Sequence, residues 1–196
     1  MKHLISLFIS LMIAMTIQAH DHLSFMGIPI DGPIDKMVAA LAEKGLIDNG
    51  KITENIAQMS FILNGQPIDV LLVADEQTGN VYRVSVMTQP KFKWKTLKRE
   101  YEMYQKQFFE QYGVPNTYEM FMYPYNTKKK MRKHELEALV NDKAVWSSFF
   151  KEYAADDTLI GDVSLAITPY AHLARVVIYY EDALNSPVEE QNEIDN

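Results

Sequence analysis

The sequence predicts an α+β domain, an antiparallel sheet with about three helices packed on one face. Three observations carry this. The hydrophobic period switches repeatedly between 3.6 and 2 along the chain. The period-2 runs are joined by short turns. No run shows the strand–helix–strand rhythm of a parallel sheet. The predicted order is helix, three strands, long helix, short strand, helix, two strands. It reads as one domain over residues 20–185, with a pair of helix-plus-meander halves left open because the two passages do not align as sequences.

The first helix is placed at about residues 33–44. Asp31-Gly32-Pro33 supplies a carboxylate near the orphan amides and a proline near the first helical position. Ile34, Met37, Val38 and Leu41 then form one apolar face, and Gly45 sits where a left-handed stop is wanted. In QMSFILNGQPIDVLLV, Asn64-Gly65 between two apolar runs signals a tight hairpin. DEQTGN, residues 75–80, is a second turn, and VYRVSVM after it alternates as a strand. Trp94, Leu97, Tyr101, Tyr104, Phe108 and Tyr112 step by three and four, a single stripe over a long helix that Gly113 and Pro115 close. An aromatic stripe could stack sugars, but at helical spacing it reads as core. YEMFMYPY is a short strand. Leu136, Leu139, Val140, Trp146, Phe149, Phe150 and Tyr153 predict another helix, interrupted near Asn141-Asp142. LIGDVSLAITPYAHLARVVIYYED predicts two strands around a turn at Pro169-Tyr170.

The ends carry addresses rather than fold. Residues 1–19 have the charge, apolar and cleavage order of a secretory signal peptide, with Lys2, an apolar run from Leu4 to Ile17 and Ala19. That run is about 14 residues, short of the ~20 needed to span a bilayer. The expectation is a monomer of the periplasm or cell exterior, without a transmembrane segment after signal removal. Residues 186–196 are acidic and aperiodic and read as a disordered tail. There is no cysteine, so the expected domain depends on its core rather than on disulfides.

The net charge of -7 argues against a nucleic-acid partner, whose phosphates need a basic face. The one basic cluster, Lys128 to His134, lacks the interleaved aromatics of a nucleic-acid platform and reads as a solvated turn and helix start, with an acidic partner or membrane surface as the alternative.

The strings WxxLxxxYxxYxxxFxxxYGxP (Trp94–Pro115), GDVSLAI (Gly161–Ile167) and VxIxYxDxxN (Val176 to Asn185), with HLSFMGIPIDG at the front, resemble an uncharacterised family of secreted Bacteroidetes proteins. That resemblance implies secretion and an α+β fold, with no catalytic residue to carry over. The helix-then-meander order also has a distant fold-level likeness to β-lactamase-inhibitor-protein-like domains, which act by binding other proteins. Fold alone does not fix function.

No GxSxG, glycine-rich phosphate loop or cysteine nucleophile is present. His134 and His172 stand alone. The carboxylate pairs Asp75-Glu76, Glu100-Glu102, Asp156-Asp157 and Glu181-Asp182 are of the type glycosidases use, but arise freely among 26 acidic residues. DEQTGN lacks the alternating oxygens of a calcium loop. No catalytic or cofactor-binding residue is assigned. The remaining candidate is His20-Asp21-His22: after cleavage at Ala19, a terminal amine, two amides and the His22 ring make the nitrogen set that copper(II) or nickel(II) prefers, with His20 as an alternative amine–ring clamp. The reading is therefore an exported, non-enzymatic binding protein for a protein or envelope macromolecule. An enzyme of unrecognised type, such as a hydrolase, and an N-terminal metal binder through His20 and His22 are the alternatives.

Overall fold

The computed structural model describes residues 22–63, 65–127 and 134–187. The expected signal peptide (residues 1–19), His20, Asp21, Asn64, the basic run 128–133 and residues 188–196 lie outside them. A small hairpin, β1 (Ser24–Phe25) and β2 (Ile28–Pro29), precedes helix α1 (Ile34–Glu43). A meander follows: β3 (Ile47–Thr53), β4 (Ile56–Leu63), β5 (Gln66–Ala74) and β6 (Val81–Met87). Helix α2 (Trp94–Tyr112) then leads to β7 (Asn116–Phe121), α3 (Glu135–Val140), β8 (Ala144–Tyr153), β9 (Leu159–Tyr170) and β10 (Leu173–Asp182).

The eight longer strands form one antiparallel sheet in the order β3-β4-β5-β6-β10-β9-β8-β7. Each half of that sheet is a four-stranded meander introduced by its own helix, and the halves meet where β6 pairs with β10. The predicted α+β class with helices on an antiparallel sheet is what the chain adopts.

Register makes the two faces explicit. One row crosses seven strands as Met59, Val70, Val86, Ile178, Leu165, Ser148 and Thr117. Its first six members are buried, and the row faces the helices, where Met37 and Leu41 of α1 and Leu97, Tyr101, Tyr104 and Phe108 of α2 close the core. The aromatic stripe of α2 is thus core. The next row, Ser60, Asp69, Met87, Val177, Ala166, Ser147 and Tyr118, points the other way because side chains alternate along a strand. No described helix covers that second face.

Several expected elements change. The opening stretch is a hairpin rather than one strand running into the helix, because Met26 and Gly27 both take positive φ (53° and 75°), the geometry of a type I′ turn. Residues 47–53 add an edge strand that the sequence did not reveal. The helix expected through Tyr153 ends at Val140, and residues 144–153 are strand β8. Asp142, at φ 53°, breaks the helix, and Trp146, Ser148 and Phe150 then alternate inward with period 2. The last turn sits at Ala171-His172, two residues beyond the expected one.

Candidate functional site

His22 ends up in a clasp between the two ends of the domain. The Asp182 carboxylate, fully buried at the end of β10, accepts the Leu23 amide at 2.7 Å and the amides of Leu184 and Asn185 at 3.1 and 3.0 Å. His22 Nδ1 lies 3.1 Å from the same carboxylate, and its Nε2 lies 3.8 Å from Asp31 Oδ2. Asn185 donates to Asp31 at 2.8 Å and to the Ile30 carbonyl at 3.2 Å. Partial burial pushes the Asp31 carboxyl up, but the Asn185 and Gly32 hydrogen bonds and the charge of His22 outweigh it, so its pKa is lowered. Leu23, Phe25 and Ile30 beneath the clasp are buried, and Gly161 is bare because a Cβ there would meet the Glu181 carbonyl at 2.6 Å and Leu23 Cβ at 2.9 Å.

This arrangement orders the start of the domain. It also draws on the ring nitrogen that a square-planar copper or nickel set would take from His22, so clasp and metal compete for one atom. Among the described residues no group of three or more His, Cys, Asp or Glu is arranged to hold a metal ion.

The other sequence candidates separate. His134, just ahead of α3, bonds Glu137 of that helix at 2.7 Å, and His172 packs on Phe92 with ring centroids 6.1 Å apart. Asp75 accepts the amides of Thr78 and Gln77, which lowers its pKa and shapes the β5–β6 turn. Glu100 is held by Lys91 at 2.7 Å and Glu102 faces Lys98 at 3.7 Å. Asp156 accepts the Thr158 amide. Glu181 and Asp182 are consecutive in a strand and therefore face opposite sides of the sheet, Glu181 bonding Arg83 at 2.7 Å. No pair forms a two-carboxylate centre.

A polar knot, buried at Tyr101 and Ser148 and open to solvent at Thr117, carries no signal in the sequence. Ser148 Oγ receives Gln105 Nε2 at 2.8 Å and lies 2.7 Å from Tyr101 Oη and 2.9 Å from Thr117 Oγ1. Burial raises the Tyr101 phenol to about 12, against a smaller lowering by the Ser148 hydrogen bond, so it stays protonated and can donate. Ser148 then passes its own proton toward Thr117, and the knot is satisfied. With no imidazole or amine among these partners, Ser148 is a fastener between α2 and β8.

The uncovered face differs along its length. Toward the β7 edge, Met120 pairs with Val145, and Tyr118 meets Phe149 edge-on with centroids 5.8 Å apart. Tyr118 is 52% exposed, Met120 49%, Phe149 41% and Val145 37%. Toward the other end the face mixes Gln58, Ser60 and Asp69 with Ile56, Leu71 and Val73, and a groove opens between the β3–β4 and β5–β6 turns. Between them runs a charge ladder across four strands: Arg83, Glu181, Asp162 and Lys151. Burial raises the Asp162 pKa, which Lys151 opposes and Glu181 reinforces. None of the apolar patch was assigned from sequence, since each residue alone looks like core; register is what gathers them.

No protein-family model, curated protein or solved structure matches the chain. Among the described residues no helix is long and apolar enough to cross a membrane.

Proposed function

We propose that this is an exported, non-enzymatic binding protein that engages a protein partner through the uncovered face of its sheet, centred on the patch of Tyr118, Met120, Val145 and Phe149. The single observation behind this reading is the company those four side chains keep. They lie contiguously on a face that no described helix covers, and two are aromatic, the residue type that anchors protein interfaces at low entropic cost. The scattered histidines and split carboxylates supply no comparable convergence of chemical groups.

Site-specific photo-cross-linking in producing cells tests the reading. A photoreactive residue replacing Val145 should yield a discrete adduct that Tyr118→Ser with Phe149→Ser abolishes. A probe at Glu110, on the exposed side of α2, should not yield it. Equal adducts from both positions, or none from Val145, would overturn the proposal. N-terminal sequencing of the exported chain addresses the address: a start at His20 is expected, and retention of residues 1–19 would refute export by signal cleavage.

A further inference from the structure

We propose that the groove between the β3–β4 and β5–β6 turns receives a lysine or arginine side chain of the partner protein. This rests on the binding reading above and names the chemistry of a second contact on the same face.

The groove encloses about 600 Å³. Its walls include Ile56, Val73, Tyr82 and Pro187, and its rim carries Glu54, Asp75 and Glu76, with no lysine, arginine or histidine among the lining residues. The carboxylate of Asp75 is held ionised by the Thr78 amide at 2.7 Å and the Gln77 amide at 3.1 Å. No basic partner meets Glu54 or Glu76 among the described residues. Three like charges around an apolar floor are mutually repulsive, and an incoming cation relieves that repulsion.

The floor selects the kind of cation. Ile56 and Val73 suit the alkyl stem of lysine or arginine, and an aromatic ring suits the charged head. Tyr82 already has the Arg83 guanidinium 5.3 Å from its centroid, while Glu181 holds that guanidinium at 2.7 Å. That face of the ring is therefore taken, and the charged head of an incoming side chain is met by the rim carboxylates. A bare metal ion is a poor fit, because no three carboxylates among the described residues converge on one point.

Position links groove and patch. Ile56, Val73 and Arg83 occupy one row of the uncovered face. From β5 to β8 is four strand spacings, roughly 20 Å at ~4.8 Å each. A protein interface of ordinary size spans that distance.

The test is a titration of the ¹⁵N-labelled chain, residues 20–196, with acetyl-Gly-Arg-Gly-amide, its lysine counterpart and its glutamate counterpart as probes. The arginine and lysine peptides should shift the amides of residues 54–56, 73–76 and 82 saturably, and the glutamate peptide should not. Glu54→Gln with Glu76→Gln should weaken binding about fivefold, the scale of exposed ion pairs, while Glu43→Gln with Glu110→Gln should leave it unchanged. Shifts spread over the whole acidic surface, equal losses in both double variants, or no binding would each overturn the inference. Tyr118→Ser with Phe149→Ser should leave peptide binding intact. Loss of partner cross-linking in that variant, with an inert groove, would sink the groove alone and leave the binding reading standing.

Discussion

The two halves of the sheet share an architecture and differ in where they place polarity. In the first half, the row facing the helices runs Met59, Val70, Val86, all apolar, and the opposite face mixes Gln58, Ser60 and Asp69 with the aliphatic Ile56, Leu71 and Val73 and carries no aromatic ring among these positions. In the second half, the helix-facing row runs Ile178, Leu165, Ser148, Thr117, and the opposite face carries Phe149, Tyr118, Val145 and Met120. The second half has moved hydroxyls inward and aromatic rings outward. Folding alone gains nothing from that exchange, since a buried hydroxyl needs a partner and an exposed ring forgoes burial. The edges differ in the same sense. Strand β3 is bulged twice and every residue in it is exposed, a blunted edge, whereas β7 keeps an unbroken register and presents Tyr118 and Met120.

Mutations can break this contrast, and their expected sizes rank it. Leu41→Ala, in the fully apolar core of the first half, should lower the unfolding free energy by about 2–5 kcal/mol in urea titration. Ser148→Ala in the second half should cost less, about 1–3 kcal/mol, chiefly by leaving the buried Tyr101 hydroxyl without its partner. A double-mutant cycle with Tyr101→Phe should show the pair to be non-additive; additive costs would mean the knot is not one unit.

Phe149→Ser should cost about 1 kcal/mol, the scale of its edge-on contact with Tyr118, while removing partner cross-linking. A large loss of stability would place Phe149 in the structure rather than in an interface.

The smallest effect has the opposite sign. Burial raises the Asp162 carboxyl above its ordinary 3.8, so the folded chain holds a proton there that the unfolded chain releases. Stability from this group is present at low pH and is lost as pH rises through that window. Asp162→Asn should therefore raise the urea midpoint at pH 7, with the gain shrinking as pH falls toward 4. A lower midpoint at pH 7 would show that the Lys151 contact outweighs the burial.

What could be read from the sequence follows from which residues speak unambiguously. Helices α1 and α2 were legible because their stripes and closing glycines agree, and β4 to β6 because Gly65 and the DEQTGN turn mark their joins. Strand β3 was silent: IDNGKIT has no buried side chain and is held by backbone pairing to β4. Strand β8 passed for a helix because Trp146, Phe149, Phe150 and Tyr153 mimic three- and four-residue spacing. Its true alternation was disguised by Ser148, a fully buried residue that looks like surface. The same ambiguity hid the patch. The groove was hidden because Glu54 and Asp75-Glu76 sit in separate turns that only the sheet brings together.

The clasp has one more consequence, for connectivity. His22 and Asp182 are 160 positions apart in sequence yet 3.1 Å apart in space, and β10, which carries Asp182, is one of the two central strands. The outer strands come from residues 47–53 and 116–121, while His22 and Asn185 lie 3.5 Å apart beside the end of β10. A circular permutant that joins residue 187 to residue 22 by a short linker and opens between Leu63 and Gln66 should fold to the same sheet, its far-ultraviolet circular dichroism unchanged. Such a chain would carry its new ends at the β4–β5 hairpin tip and would join the two sides of the clasp covalently.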